Sequence, residues 1–184
     1  MKRAIILHGT DSNPEANWFA WLKQKLSTAG YDVWVPQLPD CHVPNLETYG
    51  NFLFDSGWDF TNSLVIGHSS GAVEVLNLLM DERCPHVKLA VCASAWDHGT
   101  PAGMDDLQFA QLFPEHGFDF DRIKSKAERI EFFHSDNDPY CPLEQAEYLA
   151  KNTGANLTVI PDGDHLGGNY TEFPELWNVI AKNL

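Results

Sequence analysis

The stretch Gly67-His68-Ser69-Ser70-Gly71 constrains this chain most, because of what flanks it. Ser63-Leu64-Val65-Ile66 precedes it and reads as a short buried strand. Ala72-Val73-Glu74-Val75-Leu76-Asn77-Leu78-Leu79-Met80 follows it and reads as a helix with few polar positions. Taken alone, Gly-x-Ser-x-Gly also suits a polar turn. Between a strand and a helix it has the form of a nucleophile elbow, where the serine sits in a strained turn with its hydroxyl raised above the sheet. Gly67 and Gly71 fit that geometry, since a side chain at either position would collide with the neighbouring strand or helix. The helix N-terminus behind Ser69 favours developing negative charge.

The rest of the chain alternates strand and helix without repeats, linkers or low-complexity segments. Apolar runs near 3–7, 31–35, 63–67, 87–93, 129–133 and 156–160 read as six strands, short and apolar as strands covered on both faces should be. Helical stretches lie between them: Asn17 to Ala29, Leu46 to Phe54, the segment from Ser70, Leu143 to Lys151 and Pro174 to Leu184. Gly30 and Gly154 stand where helix C-caps belong. Right-handed crossovers then give an α/β fold, a parallel sheet of about six strands with helices on both faces, and residues 1–184 read as a single domain. One connection is long: 95–127 carries Trp96, Met104, Leu107, Phe109, Phe113, Phe118 and Phe120. It reads either as a small cap-like insertion over the site or as a crossover helix with extra loop.

Composition narrows the function. The 184 residues carry 26 Asp and Glu against 12 Lys and Arg, a net charge of −14. That disfavours nucleic acid and anionic membrane surfaces as partners, since both are met through basic patches. No apolar run approaches the roughly 20 residues of a membrane span, and the apolar start Ala4 to Leu7 is too short for a signal peptide. Cys41, Cys84, Cys92 and Cys141 form no C-x-x-C pair and no metal-ligand spacing, so free thiols and a cytoplasmic location are expected. Neither a metal nor a nucleotide or other cofactor is implied, because no His pair at helical spacing and no Gly-rich phosphate loop occurs.

A serine hydroxyl needs a base to take its proton and a third group to orient that base. Behind an elbow serine the acid and the histidine follow in that order on later loops. The fifth strand runs into Ser135-Asp136-Asn137-Asp138-Pro139-Tyr140-Cys141-Pro142, and the sixth into Pro161-Asp162-Gly163-Asp164-His165. His165 is the candidate base. The acid is Asp138 or Asp136; Asp138, followed by a rigid turn and the next helix, is favoured, with Asp136 as a turn former. Candidate oxyanion donors are the backbone N–H groups of Ser70, after the nucleophile, and Thr10, in the loop after the first strand. His8, Gly9, Trp18 and Trp96 are candidate pocket residues, a core position being the alternative for the tryptophans. His68 is expected to point away from Ser69 into the strand–helix packing, and His134 to pack beside the acid loop.

These residues resemble the small serine hydrolases of the retinoblastoma-binding protein 9 and YdeN type. The likeness runs nearly end to end, through His8-Gly9, Asn17-Trp18-Phe19-Ala20-Trp21-Leu22, Pro39-Asp40, Ile66 to Ala72, Asp138 to Pro142 and Gly163-Asp164-His165. It implies a compact α/β-hydrolase fold with a six-stranded parallel sheet and a catalytic trio on Ser69, Asp138 and His165. The Leu-x-Cys-x-Glu motif for which vertebrate members are named is absent here, so that partner is not implied. The stretch from Trp96 to Phe120 matches poorly, so substrate does not transfer. The expectation is a serine hydrolase acting on an ester-type small molecule, with thioesters or amides as narrower cases. The alternatives are a binding or scaffold protein on a hydrolase fold and an acyltransferase.

Overall fold

The computed structural model describes residues 1–184. Six strands, β1 (Lys2–Leu7), β2 (Tyr31–Trp34), β3 (Leu64–His68), β4 (Val87–Ala93), β5 (Ala127–Ser135) and β6 (Asn156–Ile160), form one sheet in the order β2-β1-β3-β4-β5-β6. Every neighbouring pair is parallel, as the alternating pattern requires. The helices are α1 (Phe19–Thr28), α2 (Leu46–Asp55), α3 (Ser70–Met80), α4 (Asp106–Phe109), α5 (Phe120–Lys126), α6 (Leu143–Thr153) and α7 (Pro174–Ala181).

Side chains alternate across the strands and so divide the core into two layers. Ile5, Leu7 and Val65 face a cluster with Leu53 of α2, Val75 and Leu79 of α3, Ile123 of α5 and Leu149 of α6. Ala4, Ile6 and Ile66 face the other layer, with Phe19, Leu22 and Leu26 of α1 and Leu176 and Ile180 of α7. Because β1 has β2 on one side and β3 on the other, the strand order reverses between β1 and β3. In an open α/β sheet that reversal leaves a crevice at the strand C-termini, bounded here by the loops after β1 and β3. The long 95–127 connection divides in two. Its second half is a crossover, with α5 packed on α3, α6 and β5. Its first half holds Trp96, Phe109 and Leu112 in a small apolar cluster with Val73 and Cys141, beside the crevice.

The turn from β3 into α3 is as tight as the sequence implies. Ser69 has φ 56 and ψ −128, a backbone region costing about 1–3 kcal/mol that persists only where its surroundings impose it. A Cβ on Gly67 would lie 2.2 Å from the Gly71 carbonyl oxygen, and one on Gly71 would lie 2.4 Å from that of Leu7. Both obstacles are backbone and cannot turn aside. Gly71→Ala should therefore destabilise the fold by about 3 kcal/mol or more, or prevent it from forming. Urea denaturation checks this, and a loss under about 1 kcal/mol would contradict the packing.

α3 is buried on nearly all sides, and it carries Glu74 at 1 % exposure. Asn77 Nδ2 donates to Glu74 Oε2 at 3.2 Å, while Oε1 has no partner. Burial pushes this carboxyl well above the usual carboxylate range, and the Asn77 hydrogen bond opposes the shift only in part. The folded chain thus keeps a proton that the unfolded chain releases. Stability falls as pH rises above the ordinary glutamate range, by up to about 1.4 kcal/mol per pH unit. Glu74→Gln has no such proton to lose. Its thermal midpoint should exceed that of the wild type by more at pH 8 than at pH 5, each kcal/mol appearing as about 2–4 °C. Equal differences at the two pH values would contradict the buried, protonated carboxyl.

Candidate active site

Three loops at the strand C-termini bring Ser69, His165 and Asp138 into one line. His165 Nε2 lies 2.9 Å from Ser69 Oγ, and His165 Nδ1 lies 2.8 Å from Asp138 Oδ2. With Asp138 ionised, Nδ1 carries the proton and donates it, which leaves Nε2 free to accept the serine hydroxyl. Asp138 Oδ1 accepts the backbone N–H groups of Tyr140 and Cys141 at 2.9 and 3.0 Å. Burial alone would raise the Asp138 carboxyl. The hydrogen bond and charge of His165 and the two backbone donors outweigh it and hold the group below the usual carboxylate range. Asp136 is turned elsewhere: its Oδ1 accepts Asp162 N–H at 2.9 Å and ties the acid loop to the loop after β6.

The sequence pattern gives little hint of what holds the histidine. His68 does not simply fill space between strand and helix. It packs against Trp18 and Phe19 and directs Nε2 at the His165 carbonyl oxygen, 2.7 Å away. Burial and the nearby His165 push the His68 imidazole down to about 3, so it is neutral and Nε2 is its protonated nitrogen. Ser94 Oγ donates to the same carbonyl at 3.0 Å. One residue on, Trp18 Nε1 donates to Leu166 O at 2.9 Å, and Gly168 N–H donates to Asn17 Oδ1 at 2.9 Å. The acid loop is tied to this one as well: Gly163 N–H donates to Ser135 Oγ and Asp164 N–H to Asn137 Oδ1, at 2.9 and 2.8 Å.

The two expected oxyanion donors belong to the residue after Ser69 and to the loop after β1. Ser70 opens α3, so its N–H is one of those a helix leaves unpaired. Thr10 N–H makes no hydrogen bond within the chain, and Thr10 Oγ1 donates to Ser70 Oγ at 2.9 Å, linking the two loops. Gly9 lies close under the serine: a Cβ there would come within 2.8 Å of Ser69 Cβ. A pocket of about 250 Å³ opens above, lined by Gly9, Thr10, Ser12, Asn17 and His68 together with Pro101, Met104, Phe109 and Tyr140. The Tyr140 ring meets the His165 ring edge to face, centroids 5.0 Å apart.

Three of the expected pocket residues lie elsewhere. His8 is fully buried; its Nδ1 donates to Gly9 O at 2.8 Å and its Nε2 accepts Leu38 N–H at 3.0 Å, so it braces the loop from below. Trp18 is fully buried among Phe19, His68 and Phe173. Trp96 is buried against Phe109 and Phe113, with Nε1 donating to Gly99 O. Large rings in these positions secure the loops rather than face the pocket. Conversely, Asn17, Ser12, Met104 and Tyr140 line it without having stood out as site residues. Tyr140, two residues beyond the acid, offered a positional hint, and Met104 lay in the 95–127 stretch whose cap-like reading was one of two alternatives. His134 is buried beside the acid loop, with Nε2 donating to Cys141 O at 2.9 Å. Asp138, Cys141 and His165 bring donor atoms within 4.8 Å of one another. Burial raises the Cys141 thiol, however, and the other two are committed to each other, so the group offers no free anionic ligand.

Comparison with known proteins identifies the family of the chain. Residues 4–182 match the family model for serine hydrolases. YdeN of Bacillus subtilis (strain 168) is 25% identical, the match covering 98% of this chain and 95% of YdeN. The serine hydrolase RBBP9 of Rattus norvegicus is 24% identical over 99% of this chain and 95% of its own. The crystal structure of the B. subtilis ydeN product superposes with a TM-score of 0.84 at 21% identity, covering 100% of this chain and 98% of that one. Est1E of Butyrivibrio proteoclasticus with bound ferulic acid gives a TM-score of 0.71 at 16% identity, covering 100% and 89%. At those identities the structural likeness speaks for the fold, and the family match spans almost every residue from the first strand to the last helix. The chain belongs to the serine hydrolase family, as an enzyme with the α/β-hydrolase fold.

Proposed function

We propose that this serine hydrolase cleaves carboxylic esters of small molecules through an acyl-enzyme on Ser69. The observation that carries the reading is the hydrogen-bonded line Ser69–His165–Asp138 at the floor of a small pocket. His165 Nε2 takes the hydroxyl proton as Ser69 Oγ attacks the ester carbonyl. Asp138 holds the imidazole in the required tautomer and stabilises the imidazolium that forms. The N–H groups of Thr10 and Ser70 receive the charge that develops on the carbonyl oxygen. The imidazolium then protonates the departing alcohol, and a water deprotonated by His165 releases the acid and restores Ser69. The volume of about 250 Å³ favours a compact substrate, since pockets for drug-sized ligands run from about 300 Å³ upward. The esterases among the structural relatives favour esters over amides.

A fluorophosphonate probe should add once to the wild type and not to Ser69→Ala, as intact-mass spectrometry reads directly. The wild type should also hydrolyse short p-nitrophenyl esters, and Ser69→Ala should not. Failure of the folded wild type to label, or equal turnover by the two proteins, would overturn the mechanism. Asp138→Asn tests the acid. An asparagine can accept the Tyr140 and Cys141 N–H groups with its oxygen, but its amide then faces His165 Nδ1. That forces the proton onto Nε2, which can no longer accept from Ser69. Turnover should fall by about 10⁴-fold while the protein stays folded. A loss below about tenfold would assign the acid elsewhere.

A further inference from the structure

Asn17 occupies the pocket in a manner that positioning of the His165 loop does not exhaust. The residue has φ 52, a left-handed conformation that asparagine tolerates and most side chains resist. Its backbone therefore holds it between the oxyanion loop and α1, half-buried against the pocket. Gly168 N–H donates to its side-chain oxygen at 2.9 Å. Only an oxygen can accept that bond, so the amide cannot be turned over and Nδ2 must occupy the other side. A Cβ on Gly167 would lie 3.1 Å from Asn17 Nδ2, so the loop closes tightly on the amide and limits its movement.

The donor on Nδ2 makes no hydrogen bond within the chain, whereas the Thr10 and His68 side-chain donors are already committed; the Ser12 and Tyr140 hydroxyls are the other side-chain donors of the pocket, each on a freely rotating O–H rather than a fixed amide. Thr10 Oγ1 donates to Ser70 Oγ, and His68 Nε2 donates to the His165 carbonyl. Pro101, Met104 and Phe109 offer a substrate no side-chain hydrogen bond, and the Tyr140 hydroxyl is the one polar group among the lining residues grouped with them. A fixed donor on a residue that lines the same small pocket as the nucleophile discriminates. A substrate that displaces water from Nδ2 without replacing its hydrogen bond loses affinity, and one that brings an acceptor does not.

We infer that Asn17 Nδ2 binds an acceptor oxygen carried by the substrate near its scissile ester, so that short oxygen-bearing esters are preferred to alkyl esters of the same size. This rests on the ester-cleaving reading above. Asn17→Asp separates binding from positioning. Aspartate keeps an oxygen for Gly168 N–H and tolerates the left-handed backbone, but it replaces the donor with an acceptor.

The substrates are isosteric pairs in which an ether oxygen replaces one methylene: p-nitrophenyl methoxyacetate against butanoate for the acyl side, and 2-methoxyethyl acetate against butyl acetate for the alcohol side. For each pair the methoxy-to-alkyl ratio of kcat/KM is measured for wild type and for Asn17→Asp. Dividing one ratio by the other cancels intrinsic reactivity. A quotient of about tenfold favouring the wild type, in at least one pair, is expected. A quotient near one in both pairs, with turnover that still depends on Ser69, overturns the inference and leaves the ester-cleaving reading intact. Absence of Ser69-dependent turnover on all four esters overturns both.

A second measurement needs no change at Asn17. In ¹⁵N-labelled Ser69→Ala, the Asn17 side-chain amide resonances should move on titration with methyl methoxyacetate or 2-methoxyethyl acetate and move less with methyl butanoate or butyl acetate. The same response to ether and alkyl esters overturns the inference.

Discussion

The structure depends on one close contact between backbones. The start of α3 passes so near the end of β1 that only a glycine fits at position 71, and the turn itself closes on Gly67. Ser69 N–H is anchored on Ala93 O of β4 at 2.9 Å, so the elbow is held from both neighbouring strands. The strained conformation of Ser69 is therefore imposed by packing around it. Since β1 and β3 are adjacent and their connections run in opposite directions, the same contact brings Gly9 and Thr10 beside the serine. The Thr10 hydroxyl thereby reaches that of Ser70, the residue after the serine.

A second level of organisation fixes the two loops that carry Asp138 and His165. Neither belongs to a helix or strand, and a loop histidine a fraction of an ångström out of place loses its bond to the serine. Here the loop is gripped at successive residues. His68 and Ser94 hold the carbonyl of His165 itself, Trp18 holds that of Leu166, and Asn17 holds the amide of Gly168. Ser135 and Asn137 join the acid loop to the same segment. The neutrality of His68 belongs to this design. Buried between Trp18 and Phe19, the ring stays uncharged and its Nε2–H remains a steady donor.

Much of this was legible because it depends on local rules. Buried parallel strands are short and apolar, helix ends carry glycine, and a Gly-x-Ser-x-Gly between strand and helix has few other uses. The chain order of Ser69, Asp138 and His165 follows from strand order, so a linear reading reaches it. Pocket-facing residues are a different case. Trp18 and Asn17 are neighbours in sequence, yet one is fully buried and the other faces the cavity. The left-handed backbone of Asn17 decides that, and composition does not reveal it. Trp96 and Phe109 share a cluster, but only Phe109 reaches the pocket. The sequence places His68 in the strand–helix packing, away from Ser69, but no local rule tells which atom its imidazole meets there, the His165 carbonyl.

By itself, then, the sequence determined the sheet, five of its seven helices, the elbow, the candidate base and the loop that carries the acid, because each rests on spacing within a short segment or on the order of segments. Tertiary structure alone decided which side chains face the substrate, which brace the loops from beneath, and which of Asp136 and Asp138 meets His165. Those outcomes turn on contacts between residues far apart in the chain, such as Asn17 with Gly168 and His68 with His165. They also turn on backbone angles set by those contacts. Such distances are fixed only when the two layers close on the sheet.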